Sequence, residues 1–226
     1  MISLDTSAFR SLSPLPPKLR AGEVHLWMAD LGDIPKRLRD TLSPDEWVRS
    51  SRFHFLVDRD RYVATRALVR TILAAYLGED PSALRFANGS HGKPALIDSR
   101  TFMRFNLSHS DDLMLLAVTF GREVGVDLEA IRDHVHYEML AEHYFSPEDQ
   151  WALRITPTPH RCRRFFELWT RAEARLKARG VGLSEDAPAP NLYDYTVRSL
   201  EPAAGYAAAI AVEGDASDLT FLRWQN

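Results

Sequence analysis

The sequence predicts a mixed α+β protein built from two similar αβ halves. Three short stretches recur in the same order, at offsets of 100, 103 and 105 residues: 23–27 with 123–127, 43–47 with 146–151, and 65–70 with 170–175. A pattern that returns at a nearly fixed offset is typical of an internal duplication. We therefore divide the chain into an N-terminal half, 1–120, and a C-terminal half, 121–226.

Each half is predicted to run from an apolar strand through a short helix to a long helix. In the first half, Ser43 is placed to cap the short helix, Pro44 suits its first position, and Glu46 completes a capping box. Ser146 and Pro147 repeat this start in the second half. Both long helices are predicted to end before a glycine: 58–77 before Gly78, and 160–179 before Gly180.

Two β-hairpins complete the predicted fold. In the first, an apolar strand over 113–120 turns at 121–122 and returns over 124–129, so that it joins the two halves. In the second, 206–212 pairs with 219–224.

The composition limits the expected partners and compartment. Hydrophobic residues make up 45% and charged residues 26%, which is typical of a globular protein. The net charge of −3 gives no reason to expect nucleic acid or a membrane surface as a partner. Cys162 is the only cysteine, so we expect no internal disulfide and a cytoplasmic location. The duplication favours a monomer, because the pseudo-dimer is already covalent.

Two acidic residues alternate with apolar residues on one predicted strand. Asp127 and Glu129 point to the same face, because strand side chains alternate, while Val126 and Leu128 point into packing. Two neighbouring carboxylates repel each other unless a cation lies between them, and Mg²⁺ prefers one or two carboxylates. The alternative is a pair of solvated carboxylates at a strand end.

The second long helix carries a carboxylate and a lysine one turn apart. An apolar stripe is predicted at i, i+4, i+7 and i+11: Phe165, Trp169, Ala172 and Leu176. Glu173 and Lys177 lie beside this stripe. They form either an exposed ion pair, worth only about 0.3–0.5 kcal/mol, or a third metal carboxylate and a lysine that meets phosphate oxygens.

Basic and polar residues cluster in the first half. Lys93 follows a glycine in a turn, and Ser108 and His109 lie in one short polar run. Histidine is a plausible phosphate contact, and the alternative is a loop histidine without a role. Six arginines crowd one 22-residue stretch and suit phosphates, although most would serve a solvated helix face equally well: Arg49, Arg52, Arg59, Arg61, Arg66 and Arg70.

Four motifs in this order resemble the 4′-phosphopantetheinyl transferase superfamily, in its Sfp-like group. They are Gly92-Lys93-Pro94, Phe105-Asn106-Leu107-Ser108-His109-Ser110, Gly125-Val126-Asp127-Leu128-Glu129, and the helix segment 169–178. The resemblance runs from about residue 22 to the C-terminus. It implies two αβ halves with the active site in the cleft between them.

The resemblance also implies roles for individual residues. The metal ligands would be Asp127, Glu129 and Glu173. Glu173 and Lys177 would be catalytic. The residues binding coenzyme A would be Arg49, Arg52, Lys93, Ser108, His109 and Lys177. Ala172 and Glu46 depart from the family pattern, because lysine is common at the first position and a near relative has lysine at the second.

The implied reaction is magnesium-dependent transfer of the 4′-phosphopantetheine group of coenzyme A to a serine of an apo acyl or peptidyl carrier protein. The second product would be 3′,5′-ADP. The alternative is an inactive family member that only binds carrier proteins. The sequence does not contain the Gly-rich loop of P-loop phosphotransferases, which argues against an unrelated enzyme of that class.

Overall fold

The computed structural model describes residues 10–12, 16–89, 91–97, 102–133, 135–181, 195–216 and 218–225. Within these ranges the strands are β1 (Arg10–Leu12), β2 (Val24–Asp30), β3 (Phe86–Asn88), β4 (Pro94–Leu96), β5 (Met103–Ser110), β6 (Leu113–Phe120), β7 (Val124–Ala130), β8 (Tyr195–Leu200), β9 (Tyr206–Glu213) and β10 (Leu219–Trp224). The α-helices are α1 (Pro44–Ser50), α2 (Leu56–Leu77), α3 (Tyr137–Tyr144), α4 (Pro147–Ile155) and α5 (Thr158–Arg179). The predicted mixed α+β class is confirmed.

Two sheets organise the fold. The larger has the strand order β1-β10-β2-β6-β5, in which β1, β10 and β2 are parallel and the remaining pairs are antiparallel. The smaller is antiparallel, with the order β7-β9-β8. Strands β5 and β7 are therefore the outermost strands of two different sheets, and both carry predicted site residues.

The helix boundaries follow the local sequence signals. The Ser43 hydroxyl accepts a hydrogen bond from the Glu46 amide, and the Glu46 carboxylate accepts one from the Ser43 amide, so the predicted capping box is confirmed. The long helices α2 and α5 each begin two residues before the predicted start. They end at Gly78 and Gly180, whose φ angles of 68° and 69° are readily adopted by glycine. No helix in the described ranges is long and apolar enough to cross a membrane.

A shared core lies between the two sheets. Leu26 and Leu115 on the larger sheet pack with Val126, Leu128 and Ile210 on the smaller, and all five are fully buried. Burial of each such side chain stabilises the fold by roughly 1.5–3 kcal/mol. Helix α2 covers the opposite face of the larger sheet, while α5 packs on the smaller sheet. The outermost strands β5 and β7 are thereby held side by side.

Both predicted hairpins are wrong. Strand β6 pairs with β2 and β5, whereas β7 pairs with β9, so Gly121 leads the chain from one sheet to the other. Strand β10 pairs with β1 and β2 rather than with β9. Sequence proximity favours hairpins, but burial of the apolar faces between two sheets decides the actual partners. The C-terminal strand therefore completes the sheet of the N-terminal half, and the division at 120/121 stays a prediction.

Candidate functional site

A cleft of about 530 Å³ lies where the two predicted halves meet. Its first wall comes from α1, α2, the β3–β4 turn and β5, and includes Arg49, Lys93 and His109. Its second wall comes from the end of α5 and includes Lys177 and Gly180. Residues far apart in sequence, and from both predicted halves, therefore line one cleft.

The side chains of strand β7 alternate between its two faces, as predicted. Val126 and Leu128 are fully buried in the core between the sheets, while Asp127 and Glu129 occupy the other face. Asp127 is nevertheless only 2% exposed. A carboxylate held this far from solvent requires specific partners, which excludes the alternative of a solvated pair.

Helix α5 contacts β7 directly at Gly125. A Cβ atom there would lie 2.1 Å from the Ala174 carbonyl oxygen and 2.3 Å from the Ala178 nitrogen. Only glycine permits this approach, which brings the α5 side chains to the carboxylates of β7. This role was not predicted, although a glycine inside a strand is a known signal of close backbone approach.

The buried face of α5 differs from the predicted stripe. Phe165 is buried as expected, but Ala172 and Leu176 are only partly buried. Small residues one turn apart, Thr170, Ala174 and Ala178, are fully buried instead, and the two alanines pack against the smaller sheet. The predicted apolar stripe contained mostly large side chains, whereas the close approach of α5 to Gly125 requires small ones.

Lys177 contacts residues of both β5 and β7. Its ammonium donates a hydrogen bond of 2.6 Å to Oδ1 of Asp127 and one of 3.1 Å to Oγ of Ser108. The Ser108 hydroxyl in turn donates to the same Asp127 oxygen at 3.1 Å. Three residues that the resemblance singled out thus contact one another, on β5, β7 and α5.

Glu129 and Glu173 lie in an environment that disfavours their ionised forms. Burial and the neighbouring Asp127 raise the pKa of Glu129 to about 7, although Lys177 and Ser110 act in the opposite direction. Burial and Asp127 also raise the pKa of Glu173. The three predicted metal carboxylates are therefore close enough to repel one another, with more negative charge than Lys177 compensates.

His109 occupies the cleft face of β5. Its ring lines the cleft together with Leu107 and Lys177. Loss of solvent around the ring, with the positive charges of Lys177 and Arg61, lowers its pKa below 6.5. The imidazole is therefore predominantly neutral near pH 7 and has one hydrogen-bond donor.

Lys93 lines the same cleft, and its ammonium binds oxygens at the start of β7 and at the end of α5. It donates hydrogen bonds to the Glu123 carboxylate, to the Val124 carbonyl and to the Ala178 carbonyl, at 2.8, 3.1 and 2.9 Å. Arg49 lines the cleft, whereas Arg52 lines only an adjacent surface depression.

The cleft also contains an ionic cluster that was not predicted from the sequence. The Glu46 carboxylate accepts hydrogen bonds from Arg66 and Arg70 at 2.6 and 2.7 Å. Both guanidinium groups lie over the Phe86 ring, at 4.7 and 5.1 Å from its centroid. At the position where the resemblance implied a lysine in a near relative, Glu46 here neutralises two arginines that are themselves largely buried.

The acidic face has features that suit a cation. Oδ2 of Asp127 is buried without a hydrogen-bond partner among the described residues. An unpaired carboxylate oxygen beside two further acids is the chemistry that a hard divalent cation satisfies. Across the described ranges, however, no three acidic, histidine or cysteine side chains converge into a metal-binding cluster.

Comparison with known proteins agrees with these observations. The model of the 4′-phosphopantetheinyl transferase superfamily matches residues 123–214, and that of the 4′-phosphopantetheinyl transferase N-terminal region matches residues 27–121. The chain is similar to the 4′-phosphopantetheinyl transferase HetI of Nostoc sp., with 41% identity over 76% of each chain.

Two more distant relatives are similar over shorter stretches. A phosphopantetheinyl transferase of Thraustochytrium sp. is 35% identical over 65% of this chain and 55% of its own length. The 4′-phosphopantetheinyl transferase Sfp of Bacillus subtilis is 28% identical over 66% of this chain and 65% of its own length.

This chain belongs to the 4′-phosphopantetheinyl transferase superfamily. The predicted enzyme class, a phosphopantetheinyl transferase, is thereby confirmed. The alternative of an inactive carrier-binding member gains no support from these comparisons.

Proposed function

We propose that this chain transfers the 4′-phosphopantetheine group of coenzyme A to a serine hydroxyl of an apo carrier protein. The serine oxygen bonds to the β-phosphorus, the bond from that phosphorus to the bridging oxygen breaks, and 3′,5′-ADP leaves. The observation that carries this proposal is the contact of Lys177 with Asp127 at 2.6 Å, at one end of a cleft whose other wall is basic and polar. Phosphoryl transfer depends mainly on such positioning and charge neutralisation.

Magnesium is the proposed cofactor, with Asp127, Glu129 and Glu173 as its protein ligands. The unpaired Oδ2 of Asp127 and the raised pKa values of both glutamates support this assignment, because a divalent cation would relieve their mutual repulsion. Bound Mg²⁺ would neutralise charge on the coenzyme A pyrophosphate.

Lys177 and Glu173 are the proposed catalytic residues. The Lys177 ammonium would meet the pyrophosphate oxygens and stabilise negative charge as the phosphorus–oxygen bond breaks. Glu173 lies one helical turn before it. We assign to Glu173, acting directly or through a metal-bound water, the removal of the proton from the attacking serine.

The basic wall would bind the nucleotide end of coenzyme A. Arg49 and His109 both line the cleft, and a neutral imidazole still donates one hydrogen bond to a phosphate oxygen. Lys93, Ser108 and Arg52 stay proposed contacts on the strength of the family resemblance. The carrier protein would approach the open side of the cleft, where the Lys177 end is accessible, and one copy of the chain would suffice.

A transfer assay tests this function. Apo carrier protein, coenzyme A and Mg²⁺ are mixed with the chain, and the mass of the carrier is measured. We expect a gain equal to the phosphopantetheine group, and no gain without enzyme. An unchanged mass across fatty-acid, polyketide and peptide-synthetase carriers would refute the proposal.

Substitution of Asp127 links the activity to this cleft. We expect Asp127→Asn to abolish transfer while the far-UV circular dichroism spectrum stays unchanged, because asparagine has the same size. The matched control is Asp60→Asn, since Asp60 is 62% exposed and pairs only weakly with Arg39 on the surface. Equal turnover in both variants would show that Asp127 does not belong to the catalytic site.

A further inference from the structure

The open edge of β7 is closed by side chains rather than by another strand. β7 pairs with β9 on one side only, so the amides on its other side need acceptors. Three side-chain oxygens of β5 supply them: Asn106 Oδ1 accepts from Val126 at 2.8 Å, Ser108 Oγ from Leu128 at 3.3 Å, and Ser110 Oγ from Ala130 at 3.0 Å. We call this set the β5–β7 ladder.

The ladder side chains are themselves buried. Asn106 is 4% exposed, Ser108 7% and Ser110 9%. Loss of one acceptor would leave a buried amide unpaired, which is among the costly changes a protein interior can undergo. The contacting residues are spaced by two on both β5 and β7, as residues on one side of a strand are. The successive contacts therefore fix the register of β5 against β7.

Each ladder hydroxyl also contacts a carboxylate of the site. Ser108 Oγ donates to Asp127 at 3.1 Å, and Ser110 Oγ donates to Glu129 at 3.3 Å. A hydroxyl has one donor and two acceptor positions, so the same atom binds the backbone and orients the acid that precedes the bound amide. The intervening β5 residues, Leu107 and His109, face the cleft.

We propose that Asn106 and Ser110 are positioning residues for the transfer reaction, an inference that rests on the proposed function. Neither belongs to the acidic or basic groups assigned above. Through the ladder they hold the cleft face of β5 opposite the carboxylates of β7, and Ser110 fixes the orientation of Glu129. Catalysis then depends on hydrogen bonds whose atoms do not touch the reacting phosphorus.

Amide hydrogen exchange tests the ladder without reference to activity. We expect the amides of Val126 and Ala130 to exchange slowly in the wild-type chain. Asn106→Ala should accelerate exchange at Val126 by at least about tenfold, and Ser110→Ala should do so at Ala130, because each loses its acceptor. Ser110→Thr retains the hydroxyl and should keep Ala130 protected.

Kinetics of the same variants test the positioning role. Ser110→Ala should lower kcat about tenfold or more, with the KM for coenzyme A within about twofold, and Ser110→Thr should recover most of the loss. Ser82→Ala is the matched control, since Ser82 is an exposed serine that does not line the cleft. Its kcat should equal that of the wild type. Asn106→Ala provides the second variant should Ser110→Ala fold poorly.

The outcomes separate the two proposals. Faster exchange at Ala130 with unchanged kcat would show that the ladder is structural only and would overturn the positioning role. Unchanged exchange in both alanine variants would overturn the ladder itself. A wild-type chain that shows protected amides but modifies no carrier would refute the proposed function, and the positioning role with it.

Discussion

The ammonium of Lys93 donates a hydrogen bond of 2.9 Å to the backbone carbonyl of Ala178, in the last turn of α5. The final carbonyls of a helix have no partner within the helix and carry partial negative charge, so a cation there is favourable. The same ammonium also binds the Val124 carbonyl at the start of β7. One side chain of the first half therefore ties together the strand and the helix that carry the acids and Lys177.

Lys93→Met should lower the free energy of unfolding by about 1–3 kcal/mol, because two buried carbonyls lose a charged donor. Urea denaturation measures this loss. The matched control is Arg104→Met, which removes the other partner of the Glu123 carboxylate, but from a side chain that is 46% exposed. It should change stability by less than about 1 kcal/mol. Unchanged stability of Lys93→Met with a raised KM for coenzyme A would instead support the nucleotide-binding role implied by the resemblance.

Glu46→Ala should destabilise the fold by about 3–5 kcal/mol, because Arg70 would stay buried without its ionic partner. Glu46→Gln keeps the capping-box geometry and should cost less. Ser43→Ala is the control that removes only the cap, at about 1 kcal/mol. Denaturation of the three variants separates the cap from the ion pairs. If Glu46→Ala costs no more than Ser43→Ala, the ionic cluster does not stabilise the cleft wall.

His109→Ala should raise the KM for coenzyme A more than it lowers kcat. A group that contacts the 3′-phosphate gains little as the remote phosphorus–oxygen bond breaks, so its contribution is nearly uniform. We expect a loss of about 1.5–3 kcal/mol, the range for a hydrogen bond to a charged group. Kinetics with dephospho-coenzyme A provide the control, and the penalty should shrink there. An equal penalty with both forms would show that His109 does not contact the 3′-phosphate. Lys177→Ala should behave oppositely and lower kcat most.

Without divalent cations, the free energy of unfolding should fall as the pH rises, because Glu129 loses its proton. Its pKa is raised from 4.5 to about 7, so the folded state holds the proton more tightly than the unfolded state. The resulting stabilisation is present below about pH 4.5 and is lost as the pH rises to about 7. Glu129→Gln mimics the protonated form, so its unfolding free energy should rise relative to the wild type over this window.

Urea denaturation at pH 5 and at pH 7.5 measures the difference in unfolding free energy between the wild type and Glu129→Gln. Titrating groups that both proteins share contribute equally to the two values and cancel. Added Mg²⁺ should stabilise the wild type at pH 7.5 more than it stabilises Glu129→Gln, because a bound cation favours the ionised carboxylate. Identical pH dependence in wild type and variant would contradict the assigned shift at Glu129.

Local features of the sequence were sufficient for much of the fold. Ser43 and Glu46 are three residues apart, so their capping box forms within one helical turn. The glycines at 78 and 180 end the long helices for an equally local reason. The alternation at β7 correctly separated Asp127 from the buried Val126, since a strand period needs no knowledge of its neighbours.

Contacts between distant segments were not predictable in this way. The sequence predicted the strands β6 and β10 but not which strand lies alongside each, so both hairpins were wrong. The hydrogen bonds from Lys93 to Glu123, Val124 and Ala178 were likewise not predicted, because these partners lie at least 30 residues away in the sequence.

The sequence by itself determined the family and the mixed α+β class, because short motifs and local periods encode these, while the roles of the acidic and basic residues stay predictions. Only the tertiary structure decided that Gly125 admits α5 to van der Waals distance of β7 and that Asn106 and Ser110 close the open edge of that strand. Such contacts form when two apolar faces exclude water together. Their partners are therefore set by the packing of the whole chain, which no single segment encodes.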